Sequence, residues 1–424
     1  MHGQKHKIKS VKPSANQNTK QNQTKAQTSI SQKCQIATAT NHHSTNYHTK
    51  GSTMPTLHLD FTKQDFGYPI HIAPLREHLH TTLSALKPTK ILLITNEMIK
   101  SLYLPYLQEA LQASTTDTST RKNFEILTYC IEDGEVHKNM SSIEGILDFA
   151  FANKLDRKSL MISLGGGIVS DIVGFASGIY ERGISFVSIP TTLLAQVDAS
   201  VGGKCGINNA YGKNLVGLFH QPKAVFVDTH FLRSLPVREL RAGIAEMIKI
   251  AVCFEEKALE DLEGLEVSGD INSLDFLDSL APHIKKAIEL KSAVVQKDEK
   301  EAGIRAGLNY GHTFGHAIEN LTHYTKFLHG EAVAMGMRMA NALALKLGNL
   351  SREQVQRIDS VLSKFGLDFD YKIDSIEEFY EKLFLDKKSK GGKITLVLPR
   401  GIGGVDIRDD IDRELILETL REFG

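Results

Sequence analysis

The sequence predicts an α/β fold in which a parallel sheet covered by helices precedes a mostly α-helical part. Two observations support this: short apolar runs alternate with helical patterns as far as about residue 235, and helical periodicity dominates after that point. Near-continuous apolar runs are typical of parallel strands that are buried on both faces. With 424 residues the chain exceeds the size of one efficient core, so we expect two domains, at 55–235 and 236–424.

The predicted sheet rests on five strand-like runs, most of which are separated by helical patterns. The runs are KILLITN (90–96), FEILTYCI (124–131), SLMISLGGG (159–167), SFVSIP (185–190) and AVFVDT (224–229). Helices are expected at 102–113, at 141–155 and from the last glycine of the third run to about Tyr180. This alternation predicts a sheet with helices on both faces.

Pro236 marks the point at which the predicted structure changes from alternating strands and helices to mostly helices. Proline is tolerated in the first turn of a helix, so a helix can begin here. Beyond it, helices are predicted at 237–254, 274–297, 311–321, 330–347 and 351–364. In this part only KITLVLP (393–399) is predicted to be a strand. A cleft is expected between the two domains.

The composition is that of an ordinary globular protein and argues against several kinds of partner. The 50 basic and 50 acidic side chains give zero formal net charge, which favours neither nucleic acid nor a charged membrane surface. No run approaches the roughly 20 consecutive apolar residues of a membrane helix. The four cysteines form no C-x-x-C pair, which fits a reducing compartment, so we expect a cytoplasmic protein.

The first 53 residues differ from the rest, since they contain lysines but no Asp, Glu or Arg and are dense in small polar side chains. Such a segment cannot bury enough apolar surface to offset the entropy of ordering. Residues 1–54 are therefore predicted to be a disordered polar extension. An ordinary sequence begins at Met54, which leads to the hypothesis that the natural start lies there.

The segment LGGGIVSD (164–171) is the first candidate for a binding site. Its glycines let the backbone approach a pyrophosphate, and the helix that follows offers free N–H groups and a favourable dipole. Asp171 is a candidate for a ribose or amide contact. The spacing is not G-x-G-x-x-G, so on these residues alone a nucleotide site and an ordinary tight βα turn remain equal alternatives.

A candidate metal site comes from three predicted helices. His312 and His316 lie four residues apart and so share one helical face. His329 begins the next helix, and on an earlier helix Glu246 lies three residues before Lys249. Two histidines and one carboxylate suit Zn²⁺ and leave a coordination position open for a substrate.

Two ordinary explanations compete with this metal site. An H-x-x-x-H spacing arises by chance in a chain with 17 histidines, and Glu246 with Lys249 is by default an ion pair on a helix surface. The small and apolar neighbours of both segments favour an interior position instead. Buried polar groups need partners, and a metal ion is an efficient one.

Seven basic residues lie next to glycine, asparagine or small side chains rather than in solvated runs. They are Arg182, Lys204, Lys213, Lys249, Lys291, Arg305 and Lys387. Such groups suit phosphate and carboxylate recognition, although for any one of them an ordinary surface cation is the simpler interpretation. The glycine-rich stretch 197–214 also contains Asp198 and Asn214 and is predicted to be a binding loop.

Longer blocks of the sequence resemble the 3-dehydroquinate synthase family. The blocks are DGEVHKN (133–139), GGGIVSDIVGFAS (165–177), RGISFVSIPTTLLAQVDASVGGK (182–204), GKNLVGLFHQP (212–222), LPVRELRAGIAEMIK (235–249), LNYGHTFGHAIE (308–319), HGEAVAMGM (329–337) and DKK (386–388). They follow one another in the right order over most of residues 90–340. The departures are small: Cys205 and Ser234 stand where the family often has Thr.

The resemblance implies a Rossmann-like nucleotide-binding domain followed by a mostly α-helical metal-binding domain, with NAD and one divalent metal ion (Zn²⁺ or Co²⁺) as cofactors. The positions that match NAD contacts are Asn96, Asp133, Glu135, Lys138, Gly165, Gly166, Gly167, Asp171, Thr191, Thr192, Lys204, Lys213, Asn214, Phe231, Ser234, Leu235 and Glu239. The positions that match the metal ligands are Glu246, His312 and His329. The positions that match catalytic or substrate contacts are Arg182, Asp198, Lys204, Lys249, Lys291, Arg305, Asn309, His316 and Lys387.

The reaction implied by this resemblance converts 3-deoxy-D-arabino-heptulosonate 7-phosphate to 3-dehydroquinate and phosphate in the shikimate pathway. NAD transiently oxidises the carbon-5 hydroxyl, phosphate leaves by β-elimination, hydride returns, and an intramolecular aldol step closes the ring. The expected partner is thus a small sugar phosphate, bound by a homodimer as is usual in the family. Arg182, Lys204 and His316 are expected to hold the phosphate, and Arg305 the carboxylate.

Three alternatives have weaker support. A polyol or iron-type alcohol dehydrogenase of the same fold would have little use for the dense basic cluster. A cyclase whose substrate lacks a carboxylate would have little use for Arg305 and Asn309. A non-catalytic nucleotide-binding protein would be expected to have lost metal ligands, yet all three matching positions are present.

The hypothesis about Met54 predicts that the natively expressed protein lacks residues 1–53. Intact-mass spectrometry of that protein measures this directly. A mass that includes the polar extension would contradict the hypothesis.

Overall fold

A parallel sheet of six strands forms the first half of the computed structural model, which describes residues 67–112, 124–267, 271–385 and 393–424. The strands are β1 (Ile70–Ile72), β2 (Ile91–Thr95), β3 (Ile126–Cys130), β4 (Leu160–Gly165), β5 (Ser185–Pro190) and β8 (Val225–Val227). Their order is β1-β8-β5-β4-β2-β3, and every neighbouring pair is parallel. This sheet confirms the predicted α/β class.

The described residues belong to one compact unit, Gln64–Gly424. The domain boundary between residues 235 and 236 stays a prediction. The disordered extension predicted for residues 1–54 lies outside the described residues. In the part of the chain that the structure describes, no helix is both long enough and apolar enough to cross a membrane.

The strand order reverses between β2 and β4, and the reversal opens a crevice at the carboxyl ends of these strands. After β2 the chain adds β3 on one side, whereas β4, β5 and β8 extend the sheet on the other side. The loops that leave β2 and β4 therefore turn away from each other and leave a crevice between them. Ligands of open α/β sheets bind in such a crevice. Asn96 directly follows β2 and Gly166 directly follows β4, so both lie at this crevice.

Helices cover both faces of the sheet because successive side chains of a strand point to opposite faces. The helices are α1 (Leu75–Leu86), α2 (Glu97–Gln112), α3 (Met140–Ala152) and α4 (Gly167–Ile179). Leu93 and Ile162 join the core beneath α1 and α2, whereas Leu92 and Met161 join the core beneath α3 and α4. The central strands are thus buried on both faces, as their apolar runs predicted.

A β-hairpin follows the sheet strand β5. Its strands are β6 (Lys204–Asn209) and β7 (Gly212–Phe219), which pair in antiparallel fashion. Cys205 and Ile207 of β6 are buried in the core beneath α4. The predicted loop conformation over 197–214 is therefore wrong for its second half, because strand pairing and burial against α4 order these glycine-rich residues. That this segment binds a ligand stays a prediction.

The second part of the chain is mostly helical. Its helices are α5 (Val237–Phe254), α6 (Glu256–Gly264), α7 (Leu274–Ser279), α8 (Ala281–Lys297), α9 (His312–Leu321), α10 (His329–Lys346), α11 (Arg352–Lys364), α12 (Ile376–Lys382) and α13 (Arg413–Arg421). They share one large apolar core, to which a two-stranded antiparallel sheet also contributes. That sheet consists of β9 (Leu396–Pro399) and β10 (Val405–Arg408).

Most predicted helices and strands are confirmed to within a few residues, but several elements of the structure differ from the prediction. The single helix predicted at 274–297 is wrong, because Pro282 lacks the N–H of a helix interior and instead lies in the first turn of α8. The prediction of only one strand after Pro236 is wrong, because β10 pairs with β9. The sequence patterns also left β1 and α1 unpredicted, and α2 begins at Glu97, five residues before its predicted start.

Helix α10 approaches its neighbours so closely that glycine is required at two contacts. A Cβ atom on Gly336 would lie 2.0 Å from the carbonyl oxygen of Gly311, at the start of α9. A Cβ atom on Gly330 would lie 2.2 Å from the carbonyl oxygen of Ala242 on α5. Both distances are far shorter than a van der Waals contact, so these two contacts fix how α5, α9 and α10 meet.

Replacing Gly336 by Ala is expected to destabilise the protein by about 2 kcal/mol, because the added methyl group must push α10 away from α9. Urea unfolding of the two proteins measures this difference. Gly264→Ala is a matched control, since a Cβ atom at that exposed helix end would meet nothing within 4 Å. Equal stabilities of the Gly336 and Gly264 variants would contradict the close contact.

Candidate functional site

Three helices bring one carboxylate and two imidazoles together. Glu246 comes from the middle of α5, His312 from the first residue of α9 and His329 from the first residue of α10. The Oε1 atom of Glu246 lies 3.9 Å from Nε2 of His312 and 3.7 Å from Nε2 of His329. One ligand atom from each residue lies within 4.8 Å of the others, so the three can surround a single cation.

The chemistry of Glu246 fits a bound cation. Its side chain is completely buried, and its Oε1 atom accepts no hydrogen bond from another described residue. The ammonium group of Lys249, one helical turn along α5, forms an ion pair with Oε2. This pair is buried and does not lie on a helix surface, so Oε1 is left for a further positive partner.

His312 presents a lone pair to Glu246. Its Nδ1 atom lies 3.2 Å from the carbonyl oxygen of Tyr310, and because a carbonyl only accepts, Nδ1 carries the proton. Burial and the nearby charges of Lys249 and His329 hold the pKa of His312 well below its usual value. The lone pair on Nε2 of His312 therefore faces Oε1 of Glu246 across 3.9 Å. Neither atom can donate a hydrogen bond to the other, but both can bind one metal ion between them.

Glu319, which was not predicted from the sequence, orients the other histidine. Its Oε2 atom lies 3.4 Å from Nδ1 of His329, and its Oε1 atom accepts a hydrogen bond from Lys213 at 3.1 Å. Burial alone would raise the pKa of Glu319, but His329 and Lys213 hold it well below its usual value. Glu319 follows His312 by seven residues, or two helical turns, and this spacing could have identified it.

His316 lies beside the triad rather than in it. Its ring centroid is 5.5 Å from that of His312 and 5.9 Å from that of His329. A second possible set of metal ligands consists of His316, Glu319 and His329. In that set both oxygens of Glu319 are already engaged, by Lys213 and by His329 itself, whereas Oε1 of Glu246 has no hydrogen-bond partner among the described residues, so the triad around Glu246 is the better cation site.

A cluster of opposite charges adjoins the triad through Lys249. The π-helical turn Ala195–Ala199 carries Asp198, whose carboxylate is paired with Lys291 and lies 3.9 Å from the ammonium group of Lys249. Burial alone would raise the pKa of Asp198, but these two ammonium groups hold it far below its usual value. Burial also lowers the pKa of Lys291. The predicted residues Asp198, Lys249 and Lys291 are thus gathered in one place.

Arg305 and Asn309 lie on the neighbouring 3₁₀-helical segment Ile304–Asn309. Arg305 is buried, and its guanidinium donates to the backbone carbonyl oxygens of Glu299 and, at 3.1 Å, Gly202. Glu301 accepts a hydrogen bond from Asn309 at 2.7 Å and forms an ion pair with Lys204. Glu301 therefore links two predicted substrate contacts, although it was not itself predicted from the sequence.

The crevice between β2 and β4 gathers many of the residues predicted to bind NAD. Asn96 donates to Asp133 at 3.0 Å, and its own side-chain oxygen caps α2 by accepting from the N–H of Ile99. Lys138 donates to Asp171 at 2.5 Å and to Asn214 of the hairpin at 2.6 Å. The glycine turn leads into α4, so free helix N–H groups face the crevice.

The remaining predicted cofactor contacts lie around this crevice. Glu135 accepts a hydrogen bond from Asn208 at 2.7 Å. Thr191 and Thr192 follow β5, and the hydroxyl of Thr192 accepts from the N–H of Ala195. Phe231, Ser234, Leu235 and Glu239 lie on the segment between β8 and the first turn of α5. Burial and the charge of Glu331 raise the pKa of Glu239.

One predicted substrate contact, Arg182, is not brought to this site by the described structure. Arg182 is exposed and precedes β5, so the length of that strand, roughly 20 Å, separates it from Pro190 at the carboxyl end. Lys387 lies outside the described residues. The roles of both residues stay predictions.

Comparison with solved structures identifies the class of protein. The 2-epi-5-epi-valiolone synthase ValA from Streptomyces hygroscopicus subsp. jinggangensis, with NAD⁺ and Zn²⁺ bound, is 26% identical with a TM-score of 0.76, over 87% of this chain and 99% of that one. A 2-deoxy-scyllo-inosose synthase complexed with carbaglucose-6-phosphate, NAD⁺ and Co²⁺ is 26% identical with a TM-score of 0.71, over 84% and 96% of the two chains. The fold and the site place this chain among the sugar-phosphate cyclases.

Comparison of sequences narrows the class to one family. Residues 128–242 match the family model of the 3-dehydroquinate synthase N-terminal region, and residues 243–389 match that of the C-terminal region. A 3-dehydroquinate synthase from Helicobacter hepaticus is 52% identical over 84% of this chain and 95% of its own length. One from Wolinella succinogenes is 49% identical over 84% and 96%. The chain belongs to the 3-dehydroquinate synthase family.

Replacing Asp198 by Asn is expected to lower the free energy of unfolding by about 3 kcal/mol at pH 7. The ammonium groups of Lys249 and Lys291 stay buried in this variant but no longer face the negative charge of Asp198. The pKa of Asp198 is depressed in the folded protein. Its contribution is therefore complete above about pH 4 and is lost as the pH falls below that value. Urea unfolding at several pH values measures the difference between variant and wild type.

The matched control is Asp261→Asn, which removes a carboxylate 2.9 Å from Lys257 on the surface of α6. Exposed ion pairs contribute little, so this variant is expected to lose less than about 1 kcal/mol. Similar losses for the two variants would contradict the buried cluster around Asp198.

Proposed function

We propose that the chain catalyses the conversion of 3-deoxy-D-arabino-heptulosonate 7-phosphate to 3-dehydroquinate and phosphate. It then acts as a carbon–oxygen lyase of the shikimate pathway, which leads to chorismate and the aromatic amino acids. One observation carries the proposal: the triad adjoins, through Lys249 and Asp198, the ammonium group of Lys291, which in turn lies near the guanidinium group of Arg305. A substrate with both a carboxylate and a phosphate needs such groups, and a simple alcohol does not.

Glu246, His312 and His329 would hold one divalent cation, Zn²⁺ or Co²⁺, because a carboxylate and two imidazoles suit both ions. When bound, the cation supplies Lewis-acid polarisation of a substrate oxygen. The lowered pKa of His312 keeps this imidazole neutral, as a metal ligand must be. Glu319 would fix the tautomer of His329 by accepting its Nδ1 proton.

NAD would lie in the crevice between β2 and β4, with its pyrophosphate against the turn formed by Gly165, Gly166 and Gly167. When bound, NAD supplies a transient hydride acceptor for carbon 5 and is regenerated within the same turnover. Lys138 holds Asp171 and Asn214 in place by donating to both, which preorganises the edge of the crevice beside the hairpin.

The charged groups around the triad would orient the substrate. Asp198 and Lys204 would bind its hydroxyls, and Arg305 would bind its carboxylate, with Asn309, Lys291 and Lys387 in support. Lys204 and His316 would hold the phosphate, with Arg182 as a further predicted contact. These side chains provide positioning and electrostatic stabilisation, which are the main contributions that this reaction asks of the protein.

In the proposed reaction, oxidation of the carbon-5 hydroxyl to a ketone acidifies the hydrogen on carbon 6. The phosphate dianion of the substrate takes that proton, and the bond between carbon and the phosphate oxygen breaks by β-elimination. After carbon 5 has been reduced again, the ring opens and an intramolecular aldol step forms the carbocycle. Lys204 and His316 would stabilise the departing phosphate by opposing its charge.

The dehydrogenase alternative is not favoured. An iron-containing alcohol dehydrogenase from Corynebacterium glutamicum is 15% identical with a TM-score of 0.58, which reflects the shared fold alone. We further propose a homodimer, as the resemblance implies, located in the cytoplasm. The described cysteines, Cys130, Cys205 and Cys253, carry no disulfide, in keeping with that compartment.

Phosphate release from the heptulosonate substrate, with NAD present in less than stoichiometric amount, tests the proposed function. Turnover is expected to exceed the amount of NAD without accumulation of NADH, to disappear when the metal is stripped, and to return with Zn²⁺ or Co²⁺. An enzyme that releases no phosphate but forms NADH from a simple polyol would overturn the proposal.

The role of the triad is tested in the same assay by Glu246→Gln. Loss of a residue that hydrogen-bonds to a metal ligand typically lowers metal affinity about 10–100-fold. Because Glu246 is proposed to be a ligand itself, this variant is expected to lose more metal affinity than that. Metal retained after dialysis measures the effect independently of activity. Glu260→Gln, on the surface of α6, removes a carboxylate outside the site and is expected to change neither quantity.

A further inference from the structure

Two tyrosines of α2 hold the 3₁₀-helical segment Thr229–Ser234, which carries two of the predicted NAD contacts. Tyr103 is buried and its ring packs edge-on against Phe231, with ring centroids 4.8 Å apart. Tyr106, one helical turn later, stacks on His230 and donates to Asp228 at 2.6 Å. Of the two tyrosine hydroxyls, that of Tyr103 is the one that contacts Ser234.

The hydroxyl of Tyr103 fixes the direction of the hydrogen bond to Ser234. Its oxygen lies 2.9 Å from the backbone carbonyl oxygen of Phe231 and in short contact with Oγ of Ser234. A carbonyl can only accept, so the single proton of Tyr103 points to Phe231. The hydroxyl of Ser234 must then donate its own proton to Tyr103.

This arrangement determines what Ser234 offers to a ligand. A serine hydroxyl has one proton, and here that proton is directed at Tyr103. Tyr103 is the hydrogen-bond partner of this hydroxyl within the described residues, and the side chain of Ser234 is otherwise exposed. The lone pairs of Ser234 therefore remain available, and the group that meets them must be a hydrogen-bond donor.

Ser234 precedes α5, whereas the triad residue Glu246 lies well inside that helix. Glu246 lies nine residues into α5, so about 13 Å of helix separates it from the first residue of that helix, Val237. Ser234 precedes that residue. The nicotinamide ring must approach the substrate held at the triad, so the adenosine half of NAD is left for Ser234.

The adenosine half contains two kinds of donor. Ribose hydroxyls both donate and accept, so they can adapt to either direction of the serine hydroxyl. The 6-amino group of adenine only donates and requires an acceptor. We infer that Tyr103 is a positioning residue that holds Ser234 as an acceptor for the adenine amino group, and thereby makes the site selective for adenine. This inference rests on the proposed use of NAD.

The selectivity is measured by comparing NAD with nicotinamide hypoxanthine dinucleotide, in which an oxygen acceptor replaces the amino group. Isothermal titration calorimetry of the metal-loaded protein gives the dissociation constant of each. The wild type is expected to bind NAD about tenfold more tightly, the ratio that corresponds to one good hydrogen bond. If NAD does not bind to the wild type, the proposed function fails; if both dinucleotides bind equally, the inference alone fails.

Tyr103→Phe tests the role of the tyrosine. Without the Tyr103 oxygen, the hydroxyl of Ser234 can rotate and donate to the hypoxanthine oxygen, so the ratio of the two dissociation constants is expected to fall to about twofold or less. A purely structural loss would weaken both dinucleotides equally and leave the ratio unchanged, which would overturn the inference.

Two further variants complete the test. Tyr106→Phe is the matched control, because it removes a hydroxyl from the same helix and the same packing without touching Ser234, and it should keep the tenfold ratio. Ser234→Ala removes the acceptor itself without altering α2, so it should abolish the selectivity even if the Tyr103 variant does not fold. Collapse of the ratio in the Tyr106 variant, or full selectivity in the Ser234 variant, would contradict the assignment.

Discussion

The burial of Glu246 is the constraint on which the rest of the structure depends. A charged carboxylate in a packed interior costs several kcal/mol unless opposite charges compensate it. Lys249 supplies part of that compensation from the same helix, and the two imidazoles lie near Oε1, where a cation held by all three side chains would supply the rest. The glycine contacts of α10 with α5 and α9 exist for the same reason, since they bring the three ligands within reach.

Much of the fold could be predicted from the sequence, because the pattern of side chains mirrors their burial. Strands such as β2 and β4 are buried on both faces and appear as apolar runs, and α5 shows helical periodicity along its whole length. The hairpin β6–β7 could not be recognised in this way. Its order comes from pairing between glycine-rich strands and from burial against α4, and neither contact leaves a local pattern.

The candidate site was predictable in part. Spacing places His312 and His316 on one face, but only the fold distinguishes the histidine that faces Glu246 from the one beside it. Glu301 and Glu319 were missed because carboxylates in polar or helical stretches usually face water. Each acts through a partner distant in sequence, Lys204 for Glu301 and Lys213 for Glu319, so its importance becomes visible only in three dimensions.

The chain of contacts from Lys213 through Glu319 to His329 joins the hairpin to the metal triad. Lys213 is predicted to contact the cofactor, so one continuous set of charges spans both binding sites. A metal ion bound at one end of this set would therefore alter the free energy of dinucleotide binding at the other end. Thermodynamic linkage makes this coupling reciprocal: to whatever extent the metal ion favours the dinucleotide, the dinucleotide favours the metal ion equally.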